Sequence, residues 1–357
     1  MKNILWTGST LFAAIVLVVL ATARATGTAS NAVAAGRSST PAAPARLSDT
    51  GLFARGSLNI DPRNRFFSPQ YPLWSDGAQK TRWIYVPQGA QIDATDLDAW
   101  VFPVGTKFWK EFSFNGRRVE TRFLWRASER GWVFASYKWN DEQTEATLAS
   151  ADGEPGVAEL APGKRHSIPS VDDCHACHDS ASAEVLGFNA LQLSTDRDPN
   201  AIHGEPLTPA MLTLKTLVDQ DMLKTTRTDL VSNPPRIDAA TPRTRAVLGY
   251  LSTNCGVCHN GKTSLAELGM LLKQPSHSKA PNRALETTIG QPGVFKIAGK
   301  ESASMRLAPG APDLSALLYR MKSRRPSSQM PPLGTVLPDQ EAIAAVTKWI
   351  EEDLAER

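Results

Sequence analysis

The stretch Cys255-Gly256-Val257-Cys258-His259 constrains this chain more than any other. Two thiols at i and i+3 lie along one edge of a turn, and an imidazole follows the second at once. That spacing suits covalent attachment of a c-type haem, in which each thiol forms a thioether and the His ligates iron. The same five-residue pattern stands earlier as Cys174-His175-Ala176-Cys177-His178, and the two motifs use all four cysteines of the chain. Zinc ribbons place their Cys pairs roughly 15–20 residues apart, whereas about 77 residues lie between Cys177 and Cys255. Two short redox disulfides would fit the spacing but would not call for a His after each pair. The pattern therefore implies two covalently attached haem c groups on Cys174, Cys177, Cys255 and Cys258, with His178 and His259 as proximal iron ligands.

At 357 residues the chain has room for two or three units of about 100–200 residues or less. A formal charge of +3 without a basic run gives no footing for nucleic acid. Met1-Lys2-Asn3 followed by an apolar stretch to about Thr22, with small residues at Ala21, Ala23 and Ala25, reads as a signal peptide over residues 1–25. The stretch approaches the ~20 residues that span a bilayer, so an uncleaved membrane tether is the alternative. Either way the chain is expected in the periplasm. This agrees with the general habit of c-type cytochromes, which receive their haem outside the cytoplasm.

Residues 26–47, rich in Ala, Ser, Thr, Gly and Pro, read as a flexible linker. Residues 48–150 alternate with period two and carry seven of the nine tryptophans. Asn115-Gly116 between Lys107–Phe114 and Arg117–Trp125 is a strong hairpin signal, and it would pair Phe112 with Val119 and Phe108 with Phe123. Further strands are expected at Trp83–Val86, Trp100–Phe102 and Trp132–Trp139. The Trp-rich surface reads as core packing rather than a ligand platform. Ala151–Gly163 reads as a boundary loop before the first haem-binding region, 163–235, with a helix starting at Thr208-Pro209. A second haem region, 239–357, opens with Thr241-Pro242 and a helix running into Cys255. A short helix over Leu265–Leu272, another over Asp313–Lys322 and a closing helix from Asp339 complete it. The expected class is α+β and multidomain: an N-terminal antiparallel β domain, then a mainly α-helical, cytochrome c-like haem-binding region.

Met330 is the thioether expected to complete the second iron. It sits in Gln329-Met330-Pro331-Pro332, an extended proline-held segment with no packing period to explain it, and Met/His ligation raises a haem potential. Met270, Met305, Met321 and His277 are weaker alternatives there. For the first iron the candidates are His203, Met222 and Met211, beside His166, and Met ligation, His ligation and an open iron all remain readings.

With these residues in place, the stretch from Thr241 to Leu354 resembles a class I-type cytochrome c domain. A wider resemblance, from Leu47 to the end, is to a group of exported bacterial dihaem cytochromes. It rests on Tyr71-Pro72-Leu73-Trp74-Ser75-Asp76, Phe102-Pro103-Val104-Gly105-Thr106, Trp139-Asn140, Ile168-Pro169-Ser170, Leu186-Gly187-Phe188 and Pro309-Gly310-Ala311-Pro312. Gln192-Leu193-Ser194 departs from the group's Gln-Leu-Asn. The resemblance implies an N-terminal β region joined to two haems. The expected function is single-electron transfer between periplasmic or membrane redox partners, such as a redox protein or a dehydrogenase. A peroxidase-like dihaem enzyme with an open first iron is the alternative.

Overall fold

The hairpin at Asn115-Gly116 sets the sheet. In the computed structural model, which describes residues 41–129, 131–180, 183–277 and 282–355, Asn115 and Gly116 take φ values of 51° and 77°, as a type I′ turn requires. They join β4 (Lys107–Phe114) to β5 (Arg117–Ser128), following β1 (Arg65–Phe66), β2 (Gln79–Tyr85) and β3 (Ile92–Asp93). With β6 (Gly131–Trp139) and β7 (Ala146–Leu148) they build a six-stranded antiparallel sheet in the order β1-β2-β4-β5-β6-β7. The described residues are 21% helical and 22% strand.

The register differs from the expected one by a single residue. Ser113 faces Arg118, but Phe112 faces Glu120, so Val119 has no partner across the strand. This is a β-bulge, which re-aims every side chain beyond it. Phe108 consequently meets Leu124, while Phe123 lies opposite Trp109 on the other face. That other face buries Trp83, Trp109, Phe123 and Tyr137 against Leu47, Leu52 and Phe53. The end of the 26–47 stretch thus docks on the sheet: Leu148 donates its N–H to the Ala45 carbonyl at 2.9 Å, and the Tyr137 hydroxyl reaches Pro44. Residues 1–25, where the signal segment is expected, lie outside the described residues, as does 26–40. No helix among the described residues is long and apolar enough to cross a membrane.

The first face of the sheet carries Ile84 and Phe108, which pack with Phe67, Trp100, Phe102, Phe188, Leu193 and Leu212–Leu230 in one core. The stretch 163–235 therefore shares its core with the sheet. The expected boundary loop is a hairpin instead, β8 (Glu154–Ala161) with β9 (Lys164–Ile168), followed at once by α1 (Val171–His178). The helix expected from Thr208 is only α2 (Leu214–Asp219), because Thr213 is the residue whose side chain accepts from the Thr216 N–H. Strand β10 (Leu223–Lys224) pairs in parallel with β3, and Trp100–Phe102 contributes only a bridge between Val101 and Asp93.

The C-terminal part opens as its sequence indicates. Thr241 caps α3 (Pro242–Asn254), with Pro at the first helical position. Then come α4 (Arg283–Thr288), α5 (Ala316–Lys322) and α6 (Gln340–Lys348), the last continuing as a π-turn over Trp349–Asp353. Long irregular segments separate them, and Leu265–Leu272 is helical only as a 3₁₀ turn at Ala266–Leu268. The region is thus less helical than expected. Its core nevertheless joins the first and last of these helices: Val247, Tyr250 and Leu251 of α3 pack with Ile343, Val346, Trp349, Ile350 and Leu354. The Trp349 indole N–H donates to the Thr244 hydroxyl at 3.0 Å.

Candidate functional site

Helix α1 carries the whole first motif. Ser170 starts it with a capping box, accepting from the Asp173 N–H while the Asp173 carboxylate accepts from the Ser170 N–H. This gives Ile168-Pro169-Ser170 a physical role: it ends β9 and launches the helix that bears Cys174, Cys177 and His178. The helix lies on the sheet, with Phe134 of β6 5.0 Å from the His175 ring and 4.9 Å from the His178 ring. His175 turns to Asp179 at 3.0 Å. His178 instead donates its Nδ1–H to the Glu184 carbonyl, which leaves Nε2 as the free lone pair. Burial, with Lys110 and Arg122 adding to it, outweighs that bond and holds the imidazolium down at about 4. A neutral ring held by a carbonyl at its other nitrogen is the form in which His ligates a metal.

The second motif is a turn at the end of α3. Both Cys258 and His259 donate backbone N–H groups to the Cys255 carbonyl, at 3.1 and 2.9 Å. Gly256 is required there: a Cβ would stand 2.4 Å from the Ser252 carbonyl oxygen. Burial pushes the Cys255 thiol up to about 12, so it stays a thiol rather than a reactive thiolate. The Nδ1 of His259 is buried without a hydrogen-bond partner. Burial, then the charges of Arg320 and Arg306, disfavours its imidazolium.

All four cysteines are free thiols. Among the described residues no three Cys, His, Asp or Glu side chains gather to hold a metal ion, whereas a structural zinc needs four such donors together. A haem asks for less: two free thiols and one neutral His on a short segment, and both motifs meet that need. The two sites also adjoin. Asn260 donates to the Ser180 carbonyl at 3.0 Å, joining the residues just beyond each motif, and Cys258 is near enough to raise the Cys177 thiol electrostatically.

Met330 is half-buried in its irregular segment. Its N–H donates to the Arg320 carbonyl at 3.0 Å, at the end of the helix whose Arg320 charge reaches His259. The loop beyond it is held by Asp76, whose carboxylate accepts from the Val336 and Leu337 N–H groups at 2.9 and 2.8 Å. Of the alternatives, Met321 is buried in the core around α3, with Met270 packed against it, while Met305 and His277 are exposed. For the first iron, Met211 is buried and Met222 packs on the sheet-side core. His203 stacks on Trp74 and spends both ring nitrogens on Asp339, at 2.8 Å, and Glu341, at 3.3 Å. His166 is buried against Glu120 at 3.0 Å. The two histidines thus have carboxylate partners.

Sequence reading missed the charged residues around the first motif: Lys80, Arg82, Lys110, Glu120 and Arg122. The signal was present as alternate-position charges, Lys80-x-Arg82 and Glu120-x-Arg122, which put them on one face of a sheet. Comparison with protein-family models, with curated proteins and with solved structures found no match.

Proposed function

We propose that this chain is an exported dihaem c-type cytochrome that passes single electrons between redox partners outside the cytoplasm. The observation that carries the reading is the pair of adjoining C-x-x-C-H segments, each with free thiols and a neutral His, linked by the Asn260–Ser180 hydrogen bond. Bound haem would supply a one-electron ferric/ferrous couple. The chain's own part is to fix two such groups side by side: Cys174 and Cys177 with His178, Cys255 and Cys258 with His259. The crossing of α3 with α6, together with the Met330 segment, supports a small cytochrome c-like unit around the second haem. The test is stoichiometry. Protein matured in a host with the thioether-forming machinery should give two haems per chain by the pyridine haemochrome assay, and one or none would sink the reading.

Met330→Ala should lower the potential of one haem, since a thioether favours the ferrous state, and abolish any far-red thioether-to-ferric band. An unchanged spectrum would move the distal ligand elsewhere. A second reading, a peroxidase-like enzyme with an open first iron, draws on the engagement of His203 with Asp339 and Glu341. Resonance Raman separates the two: two six-coordinate low-spin haems favour the carrier, and a five-coordinate high-spin component favours the enzyme.

A further inference from the structure

Beside the first motif the sheet carries a row of cations that its own carboxylates do not balance. Arg82 on β2 faces Lys110 on β4, Lys110 faces Arg122 on β5, and Arg122 faces Ser136 on β6. Like charges directly opposite one another weaken a sheet. Lys80, two places along β2, adds a fourth cation and donates to the Leu73 carbonyl at 2.5 Å. Arg82 is 5% exposed, and its ion pair with Glu205 is loose at 3.9 Å. Lys110 lies over the Phe112 ring at 4.8 Å and joins no ion pair among the described residues. Arg122 has Glu120 at 2.7 Å, but Glu120 is shared with His166. Asp339 acts on Lys80 only at longer range. At the end of the row, Ser136 is 8% exposed and its hydroxyl has no partner.

Arg82 is buried and Lys110 and Arg122 are partly buried; cations set side by side there with incomplete counter-charge are costly, and a buried hydroxyl without a partner adds to that. Burial, followed by the charges of Arg82 and Lys80, drives the Lys110 ammonium well below the ordinary lysine value. An anion among these groups would repay both costs. The position of the row points to which one. Arg122 acts on Cys174 and Cys177, and Lys110 acts on Cys177 and His178. Ser136 lines, with Phe134, Cys174 and His175, a cavity of about 350 Å³, within the size range of small-ligand sites.

We propose that Arg82, Lys110, Arg122 and Ser136 form an oxyanion-binding row whose ligand is a propionate carboxylate of the haem attached at Cys174 and Cys177. The inference rests on the haem reading above. Haem c brings two propionates, ionised at neutral pH, and charge-assisted bonds from Lys and Arg are the strong way to hold them. A soluble inorganic oxyanion on the same haem has the same chemistry and is the other source.

The test compares full-length holo-protein with Lys110→Met, Lys110→Arg and Ser136→Ala, the last being the smallest change to the fold. Haem content is read first: wild type without haem ends the parent reading and this one with it. With haem present, redox titration of Lys110→Met should show a negative shift in one midpoint potential, because the lost positive charge favours ferric iron. Lys110→Arg should restore the potential, Ser136→Ala should give a smaller shift of the same sign, and phosphate or sulfate should leave the wild-type Soret band unmoved. A saturable Soret response to phosphate, lost in Lys110→Met, would overturn the propionate in favour of a soluble ligand. Potentials and Soret bands identical in all four proteins would overturn the row itself.

Discussion

Gly249→Ala is expected to destabilise the protein by about 3 kcal/mol, at the upper end of ordinary overpacking. Helix propensity alone gives the opposite sign, since Ala in a helix interior is about 1 kcal/mol better than Gly. The reason is contact. A Cβ built on Gly249, in the middle of α3, would stand 2.1 Å from Cε1 of the Tyr71 ring. Tyr71 is 1% exposed, and it is fixed from both sides. Its N–H donates to the Gln192 side chain at 3.0 Å, and its hydroxyl donates to Asp198 at 3.2 Å. The ring cannot retreat without giving these up. Chemical denaturation of Gly249→Ala, Tyr71→Ala and the double variant checks this, the double being far less unstable than the sum of the singles. A neutral or stabilised Gly249→Ala would mean that the ring does not seat on α3.

The same contact explains why Tyr71-Pro72-Leu73-Trp74-Ser75-Asp76 was visible in the sequence as a resemblance but not as a structural element. Tyr71 fills the notch at Gly249, the Trp74 N–H donates to Asn254 at 2.7 Å, and Asp76 holds Val336 and Leu337. None of these partners is close in sequence, so no local pattern announces them. It follows that residues 239–357 lack part of their core when residues 48–150 are removed. Where the cue was local, it was legible. Thr241-Pro242 starts α3 and Asp339 starts α6, because capping is decided within one turn of the chain. Thr208-Pro209 offered the same cue and formed no helix; Thr213 won, in a segment whose Leu212, Leu214 and Leu217 are drawn into the sheet-side core.

The site divides along the same line. A thioether-linked haem needs its two thiols and its imidazole within five residues, so Cys174–His178 and Cys255–His259 are written in consecutive letters. The cation row is assembled by pairing three strands and appears only when their register is known. Val119 decides that register. Had Phe112 paired with Val119, Glu120 and Arg122 would have pointed to the opposite face, away from α1. The one-residue bulge is therefore what brings charge to the first motif.

Glu120 carries the largest electrostatic consequence of that bulge. It is 0% exposed, takes both the Nε and a terminal nitrogen of Arg122 at 2.7 and 3.2 Å, and takes His166 at 3.0 Å. Burial alone would raise its carboxyl; the Arg122 charge, the His166 bond and the Arg122 bond outweigh burial and bring it down to about 2. A carboxyl depressed on folding stabilises the fold above its ordinary value near 4.3, and that contribution is lost as pH falls toward about 2. Glu120→Ala should cost about 3–5 kcal/mol at neutral pH, because it strands Arg122 and His166 rather than merely deleting a bond. Glu120→Gln keeps the shape and removes the charge. Its denaturation midpoint should fall less steeply than that of wild type between pH 4 and 2, since it has no proton to take up there. Parallel curves for the two proteins across that window would show that folding does not depress the Glu120 carboxyl, and would remove the electrostatic role of its Arg122 and His166 partners.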